Sequence, residues 1–123
     1  MSLDKALVDC IISGGLYKPA SVEREAGVPL SNWSVREIPD PDEPSGVTHH
    51  FVGRNENSWD GRVSSKIVAF DRKTKVGVTS SSRGYQLIGP PGKCSDGEYV
   101  WNNWMRINNV NREDVVDVSD RYK

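Results

Sequence analysis

Cysteine is scarce in this chain. Cys10 and Cys94 are the only two, and thiols so far apart define no disulfide framework, so reduced side chains in a cytoplasm are the expectation. Charge of one sign is also lacking. Sixteen basic residues stand against seventeen acidic ones, a formal net charge of -1, which gives no global attraction for nucleic acid or for an anionic membrane. No apolar run reaches the length of a membrane span, and the first apolar stretch carries Asp4, Asp9 and Cys10 with no basic leader before it. The expected chain is neither exported nor membrane-inserted. Histidine is confined to the pair His49-His50, which leaves little material for a metal site.

What is present suits one packed domain. Apolar residues make up 36% of the 123, charged residues 27%, and four Trp are spread along the length, enough to form a core without staples. From Leu3 the apolar positions Leu3, Ala6, Leu7, Cys10 and Ile11 recur at helical spacing, with Ser2 as a cap and Gly14-Gly15 as a stop. Ser21 can cap a short turn from Val22 to Ala26, and Gly27 and Pro29 stop anything longer. Trp33 to Ile38 alternates like a strand. The three prolines of 39–46 then demand a surface loop.

Val47 to Val52 reads as a strand, and Gly53 to Gly61 as a polar loop. A meander follows: Val63 to Phe70, a turn at 71–74, Lys75 to Thr79, a turn at 80–84, and Tyr85 to Ile88. Ile67 to Phe70 is apolar on both faces, which places it centrally in the sheet. Ser95-Asp96-Gly97-Glu98 has the order of a capping box. It predicts a helix from Ser95 to about Asn108, followed by a short strand at 115–118.

The expected fold is therefore α+β. It has an N-terminal helix, an antiparallel sheet of about five strands with a central meander, a Trp-bearing helix packed on the sheet, and a short last strand.

Gly89 to Ser95 lies between a strand and a helix, where a phosphate-binding loop would sit. Leu87 and Cys94 occupy the positions where such a loop needs Gly and Ser or Thr, so a turn is the reading. His49 and His50 are adjacent on a strand and point to opposite faces, so they cannot share a metal ion. No metal and no cofactor are expected. A ligand cleft can be built if the loop 53–61 folds back on its strand. His49 or His50 would then meet Asp60 and Arg62, with Trp59 as a wall; against it stands the simpler picture of Trp59 covering a sheet edge and Arg62 solvated. Trp101, Trp104 and Met105 fall at the spacing that seats a helix on a sheet, and any of them left exposed would mark an interaction surface.

Val22 to Ser31 resembles the turn of a helix-turn-helix, with Gly27 opening the turn. That resemblance, extended over 21–37, implies DNA binding. Glu23 stands where a small Ala is usual, Trp33 where a medium aliphatic is usual, and the presumed recognition helix from Leu30 to Ile38 offers only Arg36 for phosphate.

A second resemblance runs from Arg62 to Val118. It rests on 62–68 (RVSSKIV), 85–89 (YQLIG), Glu98-Tyr99-Val100-Trp101 with Trp104, and Asp114 to Val118. In these segments the chain resembles a group of short uncharacterised bacterial proteins of the kind carried on mobile elements such as integron cassettes. The resemblance implies a small stand-alone cytoplasmic bacterial protein and assigns no activity to particular residues.

By elimination the leading functional expectation is a non-enzymatic binding or adaptor protein, acting through a protein or small-molecule contact. A hydrolase or small-molecule-binding protein with a His/Asp/Arg cleft comes second, and DNA binding third. Short strands with open edges add the expectation of a homodimer.

Overall fold

The computed structural model describes residues 26–123. The expected N-terminal helix lies outside the described residues, as does most of the turn at 22–26.

Among the described residues the chain forms seven strands and one α-helix. The strands are β1 (Ala26–Pro39), β2 (Val47–Asn55), β3 (Gly61–Val63), β4 (Ile67–Asp71), β5 (Val76–Thr79), β6 (Gly84–Ile88) and β7 (Val116–Asp117). The helix, α1, is Ser95–Ile107. All seven strands belong to one sheet of order β3-β2-β1-β6-β5-β4, with β7 also pairing β1.

The expectation of a five-stranded antiparallel sheet is thus corrected. The sheet is mixed, because β1 runs parallel to β6, with Leu30 opposite Leu87. β1 is also much longer than the strand expected at Trp33 to Ile38. It includes Gly27 and Pro29 because its first half has partners on both sides. The Pro29 carbonyl accepts from Glu56 N at 2.8 Å, so the missing proline N–H faces the loop after β2 and leaves the β6 ladder intact. Residues 30–38 are strand, so the recognition helix that DNA binding required is not formed there.

A bulge between Ser31 and Ser34, with Asn32 at φ 46°, divides β1. It turns the Trp33 side chain into the core, where its Nε1 donates to Gly89 O at 2.9 Å. Beyond the bulge, β7 takes over the edge that β6 has left, with Arg36 opposite Asp117.

The outermost strands of the order, β3 and β4, are consecutive in the chain and joined by only Ser64, Ser65 and Lys66. Such a link reaches roughly 14 Å at full extension. The sheet must therefore curl until its edges approach. Contacts across the interior show the curl: Phe51 on β2 lies 6.3 Å from Phe70 on β4 between ring centroids, and Arg62 on β3 donates to the Tyr85 hydroxyl on β6 at 3.3 Å. Ile67 to Phe70 is accordingly an edge strand, with Val68 exposed, and not the centre of the sheet.

Two cores result. Val28, Leu30, Trp33, Val35, Phe51, Tyr85, Leu87 and Val118 fill the inside of the curl. Gly77 permits this packing, since a Cβ there would fall 2.5 Å from the Phe51 ring. On the outer face, Ile38, Val52, Trp101 and Met105 join α1 to β1 and β2. Gly61 lets the first turn of α1 seat on β3, where a Cβ would meet the Asp96 carbonyl at 2.1 Å.

The cap of α1 also differs from expectation. Cys94 is the N-cap, its Sγ accepting from Gly97 N at 3.3 Å, and Ser95 is already helical. Glu98 is taken by a stronger partner, the buried Arg36 guanidinium, which it binds through both carboxylate oxygens.

Candidate functional site

Alternation along β2 sends His49 and His50 to opposite faces, and each enters a separate polar cluster. His49 belongs to the inner face. Its Nε2 donates to Glu37 Oε2 at 3.0 Å, and its Nδ1 meets the Tyr122 hydroxyl at 2.7 Å. Tyr122 packs on Phe70 and Phe51, so this chain of bonds closes one end of the inner core. Burial raises the Tyr122 hydroxyl to about 12.

His50 faces outward beneath α1, with only 5% of its surface exposed. Its Nδ1 lies 2.9 Å from the Ser64 carbonyl, which can only accept, so Nδ1 carries the proton. Nε2 is then the acceptor, and the Thr48 hydroxyl donates to it at 2.8 Å. The ring also lies against Trp104, 4.8 Å between centroids. Burial pulls the His50 pKa below its ordinary value; the bond to the Ser64 carbonyl opposes this, and the nearby His49 reinforces it. The side chain is a neutral imidazole of fixed tautomer.

Above this floor lies a cleft of about 630 Å³. Its floor is Thr48 and His50, and one wall is Trp104 on α1. Pro39 and Asp40 line it from the end of β1, and Ser65 and Lys66 from the link between β3 and β4. The rim is the segment after α1, where Asn108, Asn109, Val110, Asn111 and Asp114 curl back over the sheet. Asn109 makes that turn with φ 56°, a left-handed conformation that Asn tolerates better than most residues. Val110 N donates to Met105 O and Asn108 N to Trp104 O, which ties the rim to the last turn of the helix.

The sequence-derived cleft does not assemble around this site. Trp59 is 65% exposed at the tip of the β2–β3 loop. Asp60, beside it, accepts from Ser58 and lies beyond the end of β2, where its carbonyl receives Asn55 N. Arg62 pairs with Gly53 and turns inward to the Tyr85 ring, 6.0 Å from its centroid, on the face opposite His50. Of that set, only His50 reaches the cleft. Trp101 is buried and stacks on Trp104 at 5.1 Å with 12° between planes, while Arg36 lies over it at 5.2 Å. Trp104 is half-buried and engaged by both Trp101 and His50, so it serves as a wall and not as a free stacking platform. Sequence reasoning missed the rim; the density of Asn in 102–111 was its one visible signal.

Among the described residues no group of three or more His, Cys, Asp or Glu is placed to hold a metal ion, and no helix is long and apolar enough to cross a membrane. Among the described residues the architecture is a curled mixed β-sheet with one α-helix on its outer face. A scan against protein-family models finds no match, and neither curated proteins nor solved structures yield one.

Proposed function

We propose that the protein is a small-molecule-binding module whose ligand occupies the cleft between His50, Trp104 and the 108–114 rim. The observation that carries this reading is the construction of the floor. A buried imidazole of fixed tautomer and a hydroxyl locked to it form a rigid polar surface at the base of a concavity of about 630 Å³, the size expected of a ligand site. This narrows the non-enzymatic binding expectation from the sequence to one place.

The test is a fragment screen followed by amide and indole NMR shifts. Hits should move the Trp104 indole and the amides of 108–111, and a His50→Gln variant should lose them. Hits that cluster elsewhere remove the proposal.

A second reading, hydrolysis, is favoured by the Thr48 hydroxyl pointing its proton at His50 Nε2, the order in which a nucleophile meets its base. Release of nitrophenol from p-nitrophenyl acetate by wild type and not by Thr48→Val would support it; equal rates would remove it.

We further propose a homodimer in a bacterial cytoplasm, in keeping with the resemblance to cassette-borne proteins. Exposed Val68 on the edge strand β4 supports the dimer. A monomer mass in light scattering would rule it out.

A further inference from the structure

The charges around the cleft point to the class of ligand. Among the described residues two carboxylates line it, Asp40 at the end of β1 and Asp114 on the rim, against one ammonium, Lys66. The ammonium is already taken, because Lys66 forms an ion pair with Glu43. The imidazole on the floor donates its one proton to a backbone carbonyl and supplies no positive charge. Among the described residues Asp114 has no cationic partner, and the Asp40 carboxylate accepts only the backbone N–H of Asp42. The side-chain amides of Asn109 and Asn111 make no hydrogen bond among the described residues, so they are available to a ligand hydroxyl or amine.

We propose that this cleft selects a cationic, hydroxyl- or amine-bearing small molecule, its ammonium held between Asp40 and Asp114. The proposal rests on the cleft being the ligand site. An anion such as phosphate would bring negative charge beside two carboxylates, and Lys66, the one cation lining the cleft among the described residues, is already paired with Glu43. An ammonium finds two carboxylates without a cationic partner among the described residues, with the amide oxygens of Asn109 and Asn111 to accept its remaining protons or those of neighbouring hydroxyls.

The test compares four probes on the full chain by thermal shift and calorimetry: spermidine, a glucosamine disaccharide, maltose and inorganic phosphate. The two amines should raise the melting temperature, and maltose and phosphate should not. Asp114→Asn should weaken amine binding roughly tenfold, the loss of about one charge-assisted contact, and Asp40→Asn should do the same while keeping the bond from Asp42 N. Added salt should weaken the amines further. Equal binding of maltose and the glucosamine disaccharide, or amine binding indifferent to both Asp variants, overturns the proposal. If fragments still map to the cleft in that case, the binding reading stands and only the choice of a cation falls; if they map elsewhere, both fall.

Discussion

Arg36 on β1 and Glu98 on α1 form a two-pronged ion pair across the sheet–helix interface, with the Arg36 side chain only 6% exposed and Glu98 37%. Arg36 Nε donates in addition to Ser34 Oγ at 3.2 Å, and the guanidinium lies over Trp101. This one side chain fixes the rotation of α1 on the sheet, and with it the position of Trp104 over His50.

Removing Glu98 leaves a buried guanidinium without its anion. A Glu98→Gln variant should lose about 2 kcal/mol in urea unfolding, below the full value for a buried pair because the carboxylate side is partly solvated. The double variant Arg36→Met, Glu98→Leu should lose less than the sum of its two single changes. A strictly additive result would show that the pair is not coupled.

His50 gives stability a sign with respect to pH. Its pKa is lowered in the fold from the ordinary 6.5, so below that value the unfolded chain binds the extra proton first. The His50 contribution is complete above pH 6.5 and is lost as pH falls through 6.5 toward the folded value. Unfolding at about pH 5 and about pH 7.5 should therefore show wild type losing more stability on acidification than His50→Gln does. The same loss in both would exclude His50 as the source.

The Tyr122 hydroxyl supplies the bond to His49 Nδ1 at 2.7 Å. Tyr122→Phe keeps the packing on Phe70 and removes that bond, and it should cost about 1 kcal/mol. Tyr122→Ala removes both and should cost distinctly more. Equal losses would show that packing on Phe70 adds nothing beyond the bond.

Gly77 faces the Phe51 ring, and a methyl group there has no room. Gly77→Ala should destabilise by about 1 to 3 kcal/mol through overpacking. A Phe51→Leu change made in that background should cost less than the same change in wild type. If it costs as much, the added methyl group has found space elsewhere.

The local parts of this fold were legible because they depend on local chemistry. The prolines of 39–46, the turn after Asp71 and the apolar spacing of Trp101 and Met105 each gave the right kind of element at close to the right place. The alternation that separates His49 from His50 was legible for the same reason. What escaped depends on partners distant in sequence. Pro29 reads as a breaker until Glu56 and β6 are known to flank it. The run from Val63 to Phe70 reads as one strand, but Ser64 to Lys66 leaves one edge of the sheet for the other, and only a curled sheet brings those edges near enough.

The candidate site was legible at its floor and not at its rim. His50 was found from its chemistry. Trp59, Asp60 and Arg62 were joined to it by assuming that the β2–β3 loop folds back, whereas the loop continues away from the cleft and Arg62 turns inward. Asn108 to Asp114 carry no strong chemical signal, and they reach the site only because the Asn109 turn reverses the chain after α1.

The parallel pairing of β1 with β6 sets the pace at which this protein can assemble. Trp33 and Gly89 stand 56 positions apart along the chain, and closing so large a loop is unfavourable until much of the inner core can reward it. The β1–β2 hairpin needs only the short turn at 40–46, so the second half of β1 gains its first neighbour early. The first half waits for the meander to deliver β6. Until β6 is in place, Val28 and Leu30 lack the Tyr85 and Leu87 neighbours they have in the folded sheet.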